Sequence, residues 1–215
     1  MKKEINKFKE EQLKLAKKVV KKDDFEKIKL VAGVDQAFVG NEVISAIVVC
    51  DYKTMEPVEK KFAVAKAPVP YISGFLSYRE SPAAVEAFNK LENKPDILIV
   101  DAHGIAHPRF FGMASHIGLL LDIPTIGIAK KLMVGKKQDN KIVFNNKIIA
   151  QEVKTKEYSK PLYVSIGHKV SLKTAVEIVN KCIKLPHKLP EPLHLAHKYA
   201  NKIREEQLSS KVSPV

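Results

Sequence analysis

The chain of 215 residues has little cysteine and no apolar stretch long enough to cross a membrane. Its two cysteines, Cys50 and Cys182, lie inside apolar runs and lack the spacing of a metal site. They are therefore predicted to be reduced core residues of a cytosolic protein. The sequence is charged from Lys2 onward and lacks the apolar segment of a signal peptide, whereas a membrane helix needs about 20 apolar residues. These absences predict a soluble, cytoplasmic protein without a membrane partner.

Acidic residues are few relative to basic ones. There are 24 Asp and Glu residues against 37 Lys and Arg residues, which gives a formal net charge of +13. Such an excess favours a polyanionic partner, because neutralising phosphates with Lys and Arg releases condensed counterions. A hydrophobic content of 45% argues against disorder and supplies a folded core.

The chain shows no internal repeats and no linker, so residues 1–215 are predicted to form a single domain. Residues 1–28 carry apolar side chains at helical spacing among lysines and glutamates, which predicts an N-terminal helix. The tail over residues 209–215 is expected to fray.

Three apolar runs between Leu30 and Lys66, joined by short turns, predict an antiparallel meander. Ser81 followed by Pro82 has the pattern of a helix start. Buried strands then alternate with helices, and such steps pair strands in parallel through right-handed crossovers. The predicted fold is therefore α/β: a mixed sheet in which a three-strand antiparallel meander is followed by parallel strands, flanked by helices. This is the arrangement of the ribonuclease H-like fold.

The clearest chemical signal is a carboxylate at the end of a buried strand. The apolar run 97–100 stops at Asp101 and opens into a loop of glycine, histidine and arginine. In open α/β sheets, ligands bind in the crevice outside such strand ends. A lone aspartate here would more simply cap the next turn, but Asp35 on the first predicted strand and Glu80 favour a shared site. Grouped carboxylates repel one another unless a cation neutralises them, and Mg²⁺ is the default hard cation.

Several basic residues accompany these acids. No histidine pair has the spacing of a zinc site with cysteines, and His103 is predicted to be structural. His107 lies in a loop, where a substrate contact and a structural role are both open. His197 projects from an amphipathic helix and could orient water or metal ligands. Lys130 follows a buried strand at the same sheet edge, where its ammonium group could hold a phosphate.

Residues 67–74 contain two prolines and a glycine, so they form neither a helix nor a central strand. This stiff loop carries Tyr71, whose ring could wedge between bases, where stacking contributes about 1–3 kcal/mol per base. From the residues alone, a half-buried loop aromatic is the simpler alternative.

Several motifs occur together in one order, and in this the chain resembles the endonuclease V family from Val31 to Gly135. The motifs are Gly33-Val34-Asp35, Pro70-Tyr71-Ile72-Ser73-Gly74, Tyr78-Arg79-Glu80, Val100 to Arg109, and Gly127-Ile128-Ala129-Lys130. The resemblance implies a ribonuclease H-like fold in a monomeric DNA-repair enzyme. It also implies cleavage at the second phosphodiester bond 3′ to a deoxyinosine, with Mg²⁺ as cofactor and Mn²⁺ as a substitute.

The resemblance also implies roles for individual residues. The metal ligands would be Asp35, Asp101 and Glu80, and the catalytic set would add Lys130 and His197 to these three. Tyr71 would fill the space left by a flipped-out hypoxanthine, whose extrusion costs less because an inosine pair is weak. Backbone amides beside Gly104 would read the edge of that base. The residues implied to contact nucleic acid are Tyr71, Ile72, Gly74, Arg79, Gly104, His107 and Lys130.

Two other functions are compatible with the same residues. An endoribonuclease for inosine-containing RNA would use the same carboxylates with different strand-binding grooves. A nucleic-acid-binding module that has lost catalysis would explain the net charge, although it would leave the three acids without a role.

Overall fold

The computed structural model describes residues 2–212, and its strands belong to one nine-stranded mixed sheet. The strands are β1 (Leu30–Val39), β2 (Glu42–Asp51), β3 (Pro57–Lys66), β4 (Ile97–Val100), β5 (Thr125–Ala129), β6 (Lys136–Gln138), β7 (Lys141–Phe144), β8 (Lys147–Val153) and β9 (Leu162–His168). The helices are α1 (Lys2–Ala16), α2 (Leu76–Asn89), α3 (Met113–Leu121), α4 (Leu172–Lys181) and α5 (Glu191–Val212). Across the sheet the strand order is β3-β2-β1-β4-β5-β9-β8-β7-β6.

The predicted meander and parallel strands are both present. Strands β1, β2 and β3 pair antiparallel, whereas β4 pairs parallel to β1 and β5 parallel to β4. Beyond β5 the sheet continues antiparallel through β9, β8, β7 and β6. These strands pair antiparallel because they are joined without a crossover helix, which a parallel pair would need. The turn between β7 and β8 holds Asn145 and Asn146 at φ 49° and 57°, as a tight hairpin requires.

Helices cover both faces of the sheet. Alternate residues of a strand point to opposite faces, so Val34 packs towards α2 and α3 while Val31 packs towards α4 and α5. Burying each such side chain stabilises the fold by about 1.5–3 kcal/mol. Among the described residues, no helix combines the length and the apolar character needed to span a bilayer.

The predicted helix over residues 1–28 is wrong beyond Ala16, where α1 ends. The chain that follows is bound by tertiary contacts instead of helical hydrogen bonds. Val19 is buried in the main core, and the Val20 N–H donates to His168 Nδ1 at 3.2 Å. The Val20 carbonyl in turn accepts from the Lys169 N–H at 2.8 Å. Met1 lies outside the described residues.

The predicted helix start at Ser81 and Pro82 is also wrong. Helix α2 begins at Leu76, and Pro82 lies inside it. The first turn packs against α1, where the rings of Phe8 and Tyr78 stack with centroids 4.1 Å apart. We attribute the early start to this contact, which offsets the helix hydrogen bond that a proline removes. As a consequence, Glu80 lies within the helix instead of at the junction that precedes it.

Helix α5 lies directly on β1. A Cβ atom at Gly33 would lie 2.3 Å from the Pro192 carbonyl carbon and 2.4 Å from the Leu193 nitrogen, so only glycine permits this approach. The helix continues through Val212, which differs from the expected fraying at residue 209. Residues 213–215 lie outside the described part of the chain.

Gly33→Ala is expected to lower the free energy of unfolding by about 1–3 kcal/mol, because the added methyl group forces α5 away from β1. Urea unfolding followed by circular dichroism measures this loss. The same displacement should also move His197, which lies on α5. An unchanged midpoint would show that α5 does not need this close contact.

Candidate active site

Two aspartates lie side by side on adjacent strands. Asp35 belongs to β1, and Asp101 directly follows β4. Val34 pairs with Val100 in the parallel ladder, and the Asp101 N–H donates to the Val34 carbonyl at 3.2 Å. Asp35 is buried, and the side chain of Asp101 is 12% exposed. The strand register therefore brings together the two acids that the sequence placed at one sheet edge.

Each aspartate has a basic partner. Lys130 Nζ donates to Asp101 Oδ2 at 2.6 Å, and His197 Nδ1 lies 2.6 Å from Asp35 Oδ2. Asn201 Nδ2 lies 3.2 Å from His197 Nε2 and donates to the His197 carbonyl at 2.9 Å. An amide nitrogen can only donate, so His197 Nε2 accepts from Asn201. The proton of the ring is then on Nδ1, where it points at Asp35, and the tautomer is assigned by this network. Asn201 is not among the site residues predicted from the sequence, although its spacing of four residues from His197 on a helix is a usable signal.

Glu80 is the third carboxylate, and it is buried on α2. Burial raises the pKa of Glu80 to about 8; Arg79 opposes the shift, while the charges of Asp35 and Asp101 add to it. Burial and the charge of Asp101 likewise raise the pKa of Asp35, against the hydrogen bond from His197. The three carboxylates thus act on one another electrostatically, and a cation between them would favour their ionised forms.

This donor set suits a hard divalent cation, although the side chains do not form a closed cage. Within residues 2–212, no group of three or more His, Cys, Asp or Glu side chains is arranged to hold a metal ion. In the present arrangement, Lys130 and His197 occupy carboxylate oxygens of Asp101 and Asp35. Mg²⁺ commonly binds through only one or two carboxylates together with water and substrate phosphate. Asp35 and Asp101 fit that requirement, with Glu80 nearby.

The proline loop, residues 67–75, is anchored through one carbonyl group. The Gly74 carbonyl accepts hydrogen bonds from Gln12 Nε2 at 3.0 Å, His107 Nε2 at 3.1 Å and Arg109 Nη2 at 2.7 Å. Gly74 itself has φ +82°, which favours glycine. Gln12 is not among the site residues predicted from the sequence, yet this buried polar residue occupies an apolar position of the helical repeat.

The anchored loop displays Tyr71 to solvent, with 70% of the residue exposed, while Ile72 is half-buried. Arg79 Nη1 donates to the Val69 carbonyl at 2.8 Å. The position of Tyr71 excludes the half-buried alternative for this ring. Arg79, by contrast, stabilises the loop backbone from within the protein.

His107 is buried, and both of its ring nitrogens have partners in the protein. Nδ1 accepts from the Arg109 N–H at 3.2 Å, so Nε2 carries the proton that it donates to Gly74. Burial lowers the pKa of His107 to about 4. The structure thus favours a structural role for His107. It holds the proline loop in place through Gly74 and would affect nucleic-acid binding only through that loop. His103 is likewise engaged, with Nε2 2.9 Å from the Lys131 carbonyl oxygen.

The two amides nearest to the expected base-reading position at Gly104 are hydrogen-bonded within the protein. The Gly104 N–H donates to Ser165 Oγ at 2.9 Å, and the Ile105 N–H donates to the Ile166 carbonyl at 2.8 Å. A Cβ atom at Gly104 would overlap the Ile166 carbonyl oxygen, 1.9 Å away. The loop crosses β9 so closely that its polar groups must be satisfied within the protein.

A small cleft opens between the proline loop and the loop after β4; its empty volume of about 270 Å³ includes open solvent at the mouth. The hydroxyl oxygen of Ser77 is buried and has no hydrogen-bond partner among the described residues. Buried polar atoms usually have partners, so this oxygen offers an unused hydrogen bond to a ligand. The cleft is lined by Gln12, Gly74, Leu76, Ser77, Ala102, His103, His107, Gly112, Met113 and Met133.

A mixed sheet with one carboxylate on a central strand and another directly after the neighbouring strand, together with the similarity to solved nucleases, defines the class of this protein as a nuclease with a ribonuclease H-like fold. The family model described as Endonuclease V matches residues 13–198. The chain therefore belongs to the endonuclease V family.

Relatives of known name support this assignment. Endonuclease V of Dictyoglomus thermophilum is 43% identical over 199 residues, covering 89% of this chain and 87% of the relative. Endonuclease V of Thermofilum pendens is 42% identical over 195 residues, covering 88% and 84%.

Solved structures agree with the fold. The catalytic domain of human Endonuclease V has a TM-score of 0.88 at 27% identity, covering 97% of this chain and 99% of that one. Ciona intestinalis Endonuclease V, in complex with a DNA containing an inosine followed by a ribo-adenosine, has a TM-score of 0.86 at 28% identity. That match covers 96% of this chain and 99% of the Ciona chain.

Proposed function

We propose that this nuclease cuts DNA at the second phosphodiester bond 3′ to a deoxyinosine and serves DNA repair as a Mg²⁺-dependent monomer. The observation that carries the proposal is the placement of Asp35 and Asp101 side by side, next to a cleft that is lined by Gly74 of the Tyr71-bearing loop and by Ala102. The Ciona relative was crystallised with inosine-containing DNA, which supports the same substrate for this chain.

The carboxylates and their partners divide the chemistry among them. Asp35 and Asp101 would hold the metal ion, with Glu80 completing the acidic centre, and Mn²⁺ would substitute. An ion held there would supply an activated water and would stabilise the leaving oxygen. His197 fixes the orientation of Asp35 through its Nδ1 proton. Lys130, whose side chain is 47% exposed, is free to turn from Asp101 to a substrate phosphate.

The cleft is the proposed site of the extruded base. It lies between the loop that carries Tyr71 and the loop that follows Asp101, so a base can enter it while its backbone passes the carboxylates. Tyr71 then occupies the vacated space in the stack, where an aromatic ring recovers part of the stacking energy. Ser77 Oγ offers the hydrogen bond that the protein leaves unused.

The direct test is to incubate the protein and Mg²⁺ with an end-labelled duplex containing one inosine and to map the nick. A nick at the second phosphodiester 3′ to the inosine is expected, and none in the matched adenosine duplex. Equal cleavage of both duplexes would exclude inosine recognition.

Cleavage of inosine-containing RNA is a second candidate. It is favoured by the Ciona complexes, whose DNA carries a ribo-adenosine directly after the inosine. The carboxylate chemistry would be unchanged. Matched DNA and RNA oligonucleotides with one inosine each distinguish the two, and preferred cleavage of the RNA would replace the DNA assignment.

Tyr71→Ala is expected to weaken binding to inosine-containing DNA about tenfold while leaving binding to the undamaged duplex nearly unchanged. The ring contributes stacking only when a base has left the duplex. Fluorescence anisotropy in the absence of metal measures both affinities. Equal losses on both duplexes would show that Tyr71 is a general DNA contact.

A further inference from the structure

Two large apolar residues outside the proposed active site are unusually exposed and share one groove. Tyr158 is 96% exposed and Leu185 is 73% exposed, which exceeds even the 70% of Tyr71. The groove between them is also lined by Lys154, Thr155, Lys156 and Glu157. Single exposed apolar residues are ordinary. An aromatic and an aliphatic side chain that line the same groove, however, form a surface on which the apolar face of a ligand can pack.

The segment that carries Tyr158 is structured. Thr155 Oγ1 donates to the Lys188 carbonyl at 2.6 Å, and Ser159 Oγ donates to the Lys156 carbonyl at 2.9 Å. Tyr158 has φ +56°, a left-handed conformation that is uncommon for a bulky residue. These contacts hold residues 154–161, the lysine-tyrosine loop, in a shape that presents the ring to solvent.

The lysine-tyrosine loop is also basic. Lys154, Lys156 and Lys160 are exposed and form no ion pair with any residue that the structure describes. The single acid in the loop is Glu157. Three unpaired ammonium groups beside an exposed aromatic ring match the chemistry of a nucleic-acid strand, with phosphates for the lysines and a base for the ring.

Strand register ties the loop to the catalytic edge of the sheet. Val153 pairs with Leu162, and Tyr163 pairs with Ala129, the residue before Lys130. A chain spans at most about 3.6 Å per residue, so the Lys160 backbone lies within roughly 20 Å of that of Lys130. In strand order, the loop lies on the other side of the carboxylates from the proline loop, which follows β3.

We propose that the lysine-tyrosine loop and Leu185 form a docking surface for an unpaired nucleic-acid strand on the 3′ side of the cleavage site. The inference rests on the proposed function, because a lesion held at the proline loop and cut on its 3′ side sends the strand across the carboxylates towards this loop. The lysines neutralise phosphates, and the groove takes a base face. A duplex hides its base faces in the stack, so the surface selects an unpaired flank.

Two variants test the surface against a matched control. Tyr158→Ala removes the ring, and Lys154→Ala/Lys156→Ala/Lys160→Ala removes the charge. The control, Lys22→Ala/Lys27→Ala/Lys53→Ala, removes equal charge from exposed lysines at the opposite end of β1 and β2. Binding without metal and nicking with Mg²⁺ are measured on inosine oligonucleotides whose 3′ flank is either unpaired or fully duplex.

Tyr158→Ala is expected to lower affinity about tenfold for the unpaired flank and to leave the duplex flank unchanged. The triple loop variant is expected to reduce the slope of log affinity against log salt by about 2 on the unpaired flank, more than the control does. Loop variants that behave like the control, or that lose affinity equally on both flanks, would overturn the docking surface. Failure of the wild-type protein to nick inosine substrates would instead overturn the proposed function, because the binding slopes are measured independently.

Discussion

Asp35→Asn and Asp101→Asn are each expected to slow nicking of an inosine substrate by about 10³-fold or more. Both carboxylates lie at the same sheet edge, and removing one anionic ligand takes away several kcal/mol of charge stabilisation in the transition state. Binding in the absence of metal should be retained or slightly stronger, because phosphate contacts supply most of the affinity and one repelling charge is gone. Single-turnover nicking and anisotropy measure the two effects separately.

Asp139→Asn is the matched control for these variants. It removes the same charge from an exposed turn, where Asp139 has φ +53° and asparagine is well accepted. Its nicking rate should remain close to that of the wild-type protein. Near wild-type nicking by Asp35→Asn or Asp101→Asn would show that the paired aspartates do not carry the reaction.

Glu80→Gln is expected to stabilise the metal-free protein at high pH while lowering its nicking rate about 100-fold. The pKa of Glu80 is raised from 4.5 to about 8 in the folded protein, so between these values the folded state holds a proton that the unfolded state has released. Stability therefore falls as pH rises through this window, by a few kcal/mol for a shift of this size. Glutamine has no such titration, so the variant should gain about 2–3 kcal/mol over wild type near pH 9.

Urea unfolding in EDTA across this pH range measures the difference in the free energy of unfolding between Glu80→Gln and the wild-type protein. This difference should be small near pH 5 and should grow towards pH 9. It should shrink when Mg²⁺ is added, because a cation restores the favourable charge balance around Glu80. Glu86→Gln on the exposed side of α2 is the control and should show no such trend. A constant difference at all pH values would mean that Glu80 is not a buried acid of raised pKa.

The sequence predicted the parts of the site that follow from strand periodicity and sheet geometry. Asp101 is recognisable because the apolar run 97–100 ends at it, and Asp35 because it belongs to the first such run. Rules for parallel strands then place both acids at one edge, and the register confirms that they are neighbours. The sequence did not predict that β9 pairs antiparallel with β5. The direction of such a strand depends on whether a helix or a short loop joins it to its neighbours in the fold, and the periodicity of apolar residues does not show this.

The parts that the sequence did not predict depend on tertiary contacts. Helix α2 starts before Ser81 because its first turn packs on α1, and α1 ends early because Val19 enters the core. Gln12 anchors Gly74 from a distant part of the chain, which no local pattern reveals. The amide of Gly104 is used within the protein, because close packing against β9 requires it.

A crystal soaked in Mn²⁺ shows whether Asp35 and Asp101 share a cation, because anomalous scattering locates the ion without any substrate. We expect a peak bound by oxygens of both Asp35 and Asp101, with Lys130 released from its carboxylate partner. A peak elsewhere, with the two aspartates still bound only to His197 and Lys130, would contradict this expectation.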